Sequence, residues 1–120
     1  MERYNRNILI SDIAEEGQTK LLNAKVLVAG AGGLGSTVIA NLASVGIGSL
    51  GIIDNDVLEL TNLNRQYIHN LSSLGKSKVE SAKSWVEAYN PDIEVRTYTD
   101  RIDEATGRKI MRDYDIIVDC

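Results

Sequence analysis

Residues Lys25 to Asp56 read KVLVAGAGGLGSTVIANLASVGIGSLGIIDND, and their pattern decides the fold. The apolar run Val26-Leu27-Val28-Ala29 drives into a glycine cluster, Gly30-Ala31-Gly32-Gly33-Leu34-Gly35. A helical pattern follows, with Leu34, Val38, Ile39, Leu42, Ala43 and Val45 on one broad apolar face and Gly46 at its end. A second apolar run, Leu50 to Ile53, stops on Asp54. The stretch predicts a strand, a turn, a helix and a second strand tipped with an acid. Gly30, Gly32 and Gly35 keep the G-x-G-x-x-G spacing. The first permits the tight turn, the second lets backbone approach a phosphate, and the third lets the helix pack close on the strand. The helix N-terminus then offers N–H groups and a positive dipole end to an anion. Asp54, about 20 residues further on, stands where an acid binds ribose hydroxyls. The stretch is read as a nucleotide site.

Working outward, Ser11 and Asp12 are candidate caps for a short helix, about Ile13 to Leu22, which Gly17 weakens. Gly48 and Gly51 mark a tight lead-in to the second strand. Residues 54–75, DNDVLELTNLNRQYIHNLSSLG, show no long period, and a polar loop of this length points to function. A helix follows over about Lys76 to Tyr89, with Val79, Ala82, Val86 and Tyr89 on one face, until Asn90-Pro91 stops it. A strand over Glu94 to Tyr98, a helix over about Asp103 to Arg112 and a strand over Ile116 to Val118 complete the order. Alternating strands and helices imply an α/β, Rossmann-like parallel sheet of about four strands with right-handed crossovers. The simplest strand order is 3-2-1-4, with flanking helices and a crevice between strands one and four above the glycine loop. The expected organisation is one domain over 1–120, with 1–24 an N-terminal arm and helix and 25–120 a nucleotide-binding core.

Composition narrows the function classes. A net charge of −4 without a basic run argues against a nucleic-acid surface. No apolar stretch approaches the ~20 residues a membrane helix needs, and MERYNRNILI lacks the layout of a signal peptide. A single cysteine excludes an internal disulfide and a Cys₄ zinc site. These features predict a cytoplasmic location. With no Phe, the core rests on Ile, Leu, Val and Ala.

The long loop places Asn62, Asn64, Arg65 and Gln66 together after the acid tip Asp54-Asn55-Asp56. A loop leaving the C-terminal end of a strand overhangs the nucleotide site, where Arg65 could pair bidentately with phosphate oxygens. Lys78 opens the next helix, and a lysine at a helix N-terminus works against the dipole unless an anion lies there. The alternative makes Arg65 and Lys78 solvated surface charges. His69 is read as a loop residue, Trp85 as a packing residue, and Asp100, Arg101, Asp103 and Glu104 as a solvated turn. The glycine loop and Asp54 alone suit an NAD(P)-binding oxidoreductase module equally well, or a non-catalytic nucleotide-binding interaction domain. The polar cluster after Asp54 shifts the balance toward a triphosphate.

Five segments carry a resemblance to a family. They are RYNRNILI (Arg3 to Ile10), VLVAGAGGLGS (Val26 to Ser36), IIDNDVLELTNLNRQ (Ile52 to Gln66), GKSKVESAK (Gly75 to Lys83) and DIIVDC (Asp115 to Cys120). In order and spacing they closely resemble the adenylyltransferases that activate ubiquitin-like sulfur carriers. These are the molybdopterin-synthase and thiamine-biosynthesis activating enzymes of the HesA, MoeB and ThiF type, relatives of the ubiquitin-activating enzymes. The resemblance implies that a carrier protein's C-terminal Gly-Gly carboxylate is joined to AMP, with pyrophosphate released from Mg-ATP. It implies that Gly30, Gly32, Gly33, Leu34 and Gly35 line the phosphates and adenosine and that Asp54 holds the ribose, with Asp56 in the same site. Asn62, Asn64 and Arg65 would contact ATP, with Arg65 on the phosphates, and Lys78 would neutralise charge on the phosphates and pyrophosphate. Arg6 would reach across a homodimer to the partner's triphosphate, making Arg6, Arg65 and Lys78 the catalytic set. Attack on the α-phosphate builds negative charge that fixed cations stabilise.

One departure qualifies the resemblance. Family members are longer, and after a segment like DIIVDC they carry an Asp-Asn motif whose Asp binds Mg²⁺. This sequence ends at Cys120, before that Asp would fall, and it lacks the family's zinc-binding cysteine pairs. The expectation is therefore an N-terminal ATP-binding part of the family fold. It would bind nucleotide without completing adenylation by itself, would hold no zinc, and would be drawn into self-association or partner contact by the open edge of strand four. Asp119 is read as a strand-ending residue and Cys120 as a terminal strand residue, not a nucleophile.

Overall fold

A computed structural model describes residues 2–10, 13–54, 75, 77–99 and 104–120. A 3-10 turn over Glu2–Tyr4 leads into α1 (Asn5–Ile8) and α2 (Ala14–Asn23). The core then runs β1 (Lys25–Ala29), α3 (Gly33–Val45), β2 (Ser49–Ile53), α4 (Lys78–Tyr89), β3 (Glu94–Tyr98), α5 (Glu104–Met111) and β4 (Ile116–Asp119).

All strand pairs are parallel, and the sheet order is β3-β2-β1-β4, as expected from the alternating pattern. In register, Ala29 stands beside Ile53 on one side and Asp119 on the other, and Ile53 stands beside Tyr98. The C-terminal ends of the four strands therefore share one edge. Side chains alternate between the sheet's two faces. Val28, Leu50, Ile52 and Val95 face α3 and α4, where they pack with Ile39, Ala43, Val79, Ala82 and Val86 in the main core. Lacking Phe, this core is filled by branched aliphatics and alanine, which suit both a parallel sheet and close helix approach.

The first ten residues, which show no period in sequence, dock on the far end of α3. Asn7 Nδ2 donates to Gln18 Oε1 at 3.1 Å and to the Val45 carbonyl at 3.3 Å. Gln18 Nε2 donates to that same carbonyl at 2.9 Å. Asn90 Nδ2 donates to the Tyr4 hydroxyl at 2.7 Å and to the Ala43 carbonyl at 3.3 Å. Gln18 and Asn90 are fully buried, and these bonds supply partners both to their amides and to the last carbonyls of α3.

Several local expectations are corrected. Leu34 is 68% exposed in the first turn of α3 and does not belong to its apolar face. Gly51 lies inside β2 rather than in its lead-in, opposite the Tyr114 ring. The helix after the long loop starts at Lys78, because Ser77 caps it. Tyr89 is not a core residue: it is exposed and stacks on Trp85, with ring centroids 5.1 Å apart, while Trp85 packs against the core. The helix before β1 begins at Ala14 with Ile13 at its cap position, and the candidate caps Ser11 and Asp12 lie outside the described residues. Ile116 and Ile117 are 56% and 40% exposed on β4. Among the described residues, no helix is long and apolar enough to cross a membrane.

Candidate nucleotide site

The glycine loop leaves β1 at the C-terminal edge of the sheet and is held from three sides. Gly30 N–H donates to the Ile53 carbonyl at 2.8 Å, which sews the loop to the end of β2. Gly30 has φ +111°, and a Cβ there would stand 2.5 Å from the Cys120 carbonyl oxygen. Both the conformation and the close approach of the chain after β4 require glycine. Gly35 fits against the loop itself, where a Cβ would overlap the Gly30 carbonyl. The third hold is Asp54, whose Oδ2 accepts the Ala31 N–H at 2.8 Å.

The helix begins at this point. Gly32 is the residue before α3 and no side chain caps the helix. Among the described residues no side chain caps the backbone N–H groups at the positive end of this 13-residue helix, which faces the loop. Ser36 is buried, and its hydroxyl returns to the Gly32 carbonyl at 2.5 Å, which stiffens the first turn. Leu34, exposed beside these groups, offers an apolar surface at the mouth of the loop.

Lys78 reaches the same edge by a different route. In a parallel sheet the crossover helix runs back antiparallel to the strands, so α4 starts above their C-terminal ends. Ser77 Oγ accepts the Glu80 N–H at 3.2 Å, and Thr97 Oγ1 donates to Glu80 Oε1 at 2.8 Å, which pins the start of α4 to the end of β3. Lys78, the first helical residue, is only 7% exposed. Lys78 thus stands at the edge of the sheet that carries the glycine loop.

The structure thus brings Gly30, Gly32, Gly33, Leu34, Gly35, Asp54 and Lys78 to one edge. Arg6 does not join them. It is exposed in α1, which is tied through Asn7 to Val45, at the other end of α3. That helix is about 20 Å long, so Arg6 lies far from the glycine loop of its own chain. Asp56, Asn62, Asn64 and Arg65 lie outside the described residues, as do His69, Asp100, Arg101 and Asp103.

Two features went unread in the sequence. The Ser77-x-x-Glu80 pattern is a capping signature and placed the helix start. The bond from Asp54 to Ala31 carries no local signal, because the two residues meet only when β1 and β2 pair. Asp119 and Cys120 are exposed at the end of β4. Partial burial pushes the Cys120 thiol above its ordinary value, and the Asp119 charge acts in the same direction. That is the opposite of an activated nucleophile. Among the described residues, no group of three or more His, Cys, Asp and Glu side chains could hold a metal ion. A cavity of about 200 Å³ lies at the opposite edge, between Lys25, Glu94, Arg96 and Asp113, away from the glycine loop. Glu94 and Arg96 pair there at 3.2 Å in an exposed contact.

Comparison with known proteins decides the family, since the ThiF family profile matches residues 4–120. The chain belongs to the ThiF family. Among the relatives of this ThiF-family chain is the adenylyltransferase and sulfurtransferase UBA4 of Vanderwaltozyma polyspora, 43% identical over 120 residues, which are 99% of this chain and 28% of UBA4. The SAMP-activating enzyme E1 of Haloferax volcanii is 40% identical over 119 residues, 99% of this chain and 44% of that enzyme. The crystal structure of the E. coli tRNA N6-threonylcarbamoyladenosine dehydratase TcdA in complex with ATP superposes with a TM-score of 0.92 at 27% identity, covering 99% of this chain and 49% of TcdA. The chain spans less than half the length of each of these relatives.

Proposed function

We propose that the chain binds ATP at the glycine loop and serves in the adenylation of a ubiquitin-like sulfur-carrier protein, on the carrier's C-terminal Gly-Gly carboxylate. The observation that carries the reading is the uncapped start of α3 over a glycine loop whose Ala31 N–H is held by Asp54. The names of the relatives as adenylyltransferases and as a modifier-activating enzyme, and the ATP bound to TcdA, support it. On this reading the triphosphate lies along Gly30 to Gly35 and the ribose meets Asp54. A carrier carboxylate oxygen attacks the α-phosphorus, the bond to the β-phosphate oxygen breaks, and pyrophosphate leaves. The residues act by positioning and by charge, with the helix N-terminus and Lys78 opposing the negative charge that builds on the phosphates. By the family pattern, Asp56, Asn62, Asn64 and Arg65 line the same nucleotide. Mg²⁺ arrives as the ion that ATP carries.

Arg6 acts in trans in this proposal. Its anchorage at the far end of α3 favours contact with the triphosphate of a second protomer, and so a homodimer. Carriers of the molybdenum-cofactor and thiamine type are the candidate substrates, and the setting is cytoplasmic.

Carrier-dependent pyrophosphate–ATP exchange by the full-length polypeptide tests the reading. Exchange that requires an intact Gly-Gly end and is lost in Lys78→Ala supports it. In a preparation that binds ATP, exchange indifferent to the carrier's last two residues would overturn it.

A further inference from the structure

The second face of the sheet holds an arrangement that bears on the nucleotide site from a distance. Gly51 leaves a gap in the middle of β2, and the Tyr114 phenol fills it: a Cβ at position 51 would collide with the Tyr114 hydroxyl and ring. Glycine weakens the interior of a strand, and its presence there marks a close approach. Tyr114 lies between the turn after α5 and the start of β4, so its ring reaches across the sheet from β4 toward β3. Its hydroxyl lies 2.9 Å from the Tyr98 hydroxyl, and the two rings meet edge to face with centroids 6.4 Å apart. Burial pushes the Tyr114 phenol above its ordinary range, and the bond to Tyr98 acts in the same direction. The hydroxyl is thus a neutral, bonded group over the accessible pH range.

Tyr98 is the last residue of β3, and its carbonyl accepts the Asp54 N–H at 3.1 Å. The Asp54 carboxylate in turn accepts the Ala31 N–H at 2.8 Å. A continuous run of hydrogen bonds and one peptide chain therefore leads from Tyr114 through Tyr98 and Asp54 to the glycine loop. The hydroxyl bond and the edge-to-face ring contact hold the Tyr98 side chain on this face.

We propose that Tyr114 is a positioning residue for the nucleotide site: its hydroxyl fixes Tyr98, and Tyr98 fixes the peptide that aims Asp54 at the ribose. The proposal rests on the reading of Asp54 as the ribose-binding acid. It gives Gly51 a function, since any larger side chain would displace the Tyr114 ring.

The test compares ATP with 2′,3′-dideoxy-ATP, titrated calorimetrically into the 120-residue chain and its variants. Wild type binds ATP more tightly, because only ATP offers hydroxyls to Asp54. Tyr114→Phe removes the hydroxyl and keeps the ring. It weakens ATP binding about fivefold, the equivalent of one ordinary hydrogen bond, and leaves dideoxy-ATP binding unchanged. Tyr98→Phe gives the same selective loss, and the double variant loses no more than either single one. Gly51→Ala, which moves the ring, also weakens ATP selectively. Equal weakening of both nucleotides in Tyr114→Phe, or no change in either, overturns the proposal. Wild type binding both nucleotides equally removes the ribose reading of Asp54 and the proposal with it. A wild-type preference for ATP that survives Tyr114→Phe intact overturns the proposal alone.

Discussion

Gly35 sits where the loop folds back on itself, and a single methyl there would overlap the Gly30 carbonyl oxygen. Gly35→Ala therefore forces the loop away from the start of α3. The expected outcome is a loss of about 1–3 kcal/mol in stability by denaturant titration, together with loss of ATP binding. Retained binding in a destabilised variant would show that the loop can move without harm. The glycine spacing made this role legible from sequence, because the steric demand is set by backbone alone. Leu34 and Asp54 were legible only in part. The apolar period puts Leu34 on the helix's apolar face, yet Leu34 lies on the outer side of the first turn of α3, whose Gly35 and Ser36 are buried. The position of Asp54 at a strand end is visible in sequence, and its bond to Ala31 exists only once β1 and β2 pair. Cys120 yields a pH prediction. Its thiol is raised by burial and by the Asp119 charge, so at a given alkaline pH it holds less thiolate than a free cysteine. Its alkylation rate by iodoacetamide should reach half-maximum at a higher pH than that of an unstructured cysteine peptide. A midpoint at or below the peptide's would contradict that environment.

At the scale of elements, α4 shows how a helix start places a charge. Ser77 caps the helix, Glu80 bonds to Thr97 on β3, and Lys78 is carried to the strand ends. Ser77→Ala should cost about 1 kcal/mol of stability. It should also lower ATP affinity, because it loosens the turn that presents Lys78. Unaltered ATP affinity in a destabilised variant would separate the cap from the site. The elements of the core were readable because apolar period and glycine punctuation agree along them. The N-terminal arm was not readable. Its order comes from Asn7, Gln18 and Asn90 donating to carbonyls of α3 and from Tyr4 accepting from Asn90, contacts between residues separated in sequence.

Across the whole molecule, the sheet order followed from alternating strands and helices with right-handed crossovers, and the glycine loop falls at the β1–β4 crevice as that order requires. The fold by itself accepts either a dinucleotide or ATP, and the choice rests on charge. Lys78 is buried at the edge that carries the glycine loop, and Arg65 follows Asp54 in the sequence. Membership of the ThiF family weights the choice in the same direction. Calorimetric titration of the 120-residue chain with Mg-ATP and, separately, with NAD distinguishes an ATP cradle from a dinucleotide one. ATP should bind at least about tenfold more tightly, and Arg65→Ala should weaken ATP while leaving NAD unchanged. NAD binding as tightly as ATP, or more tightly, would contradict it.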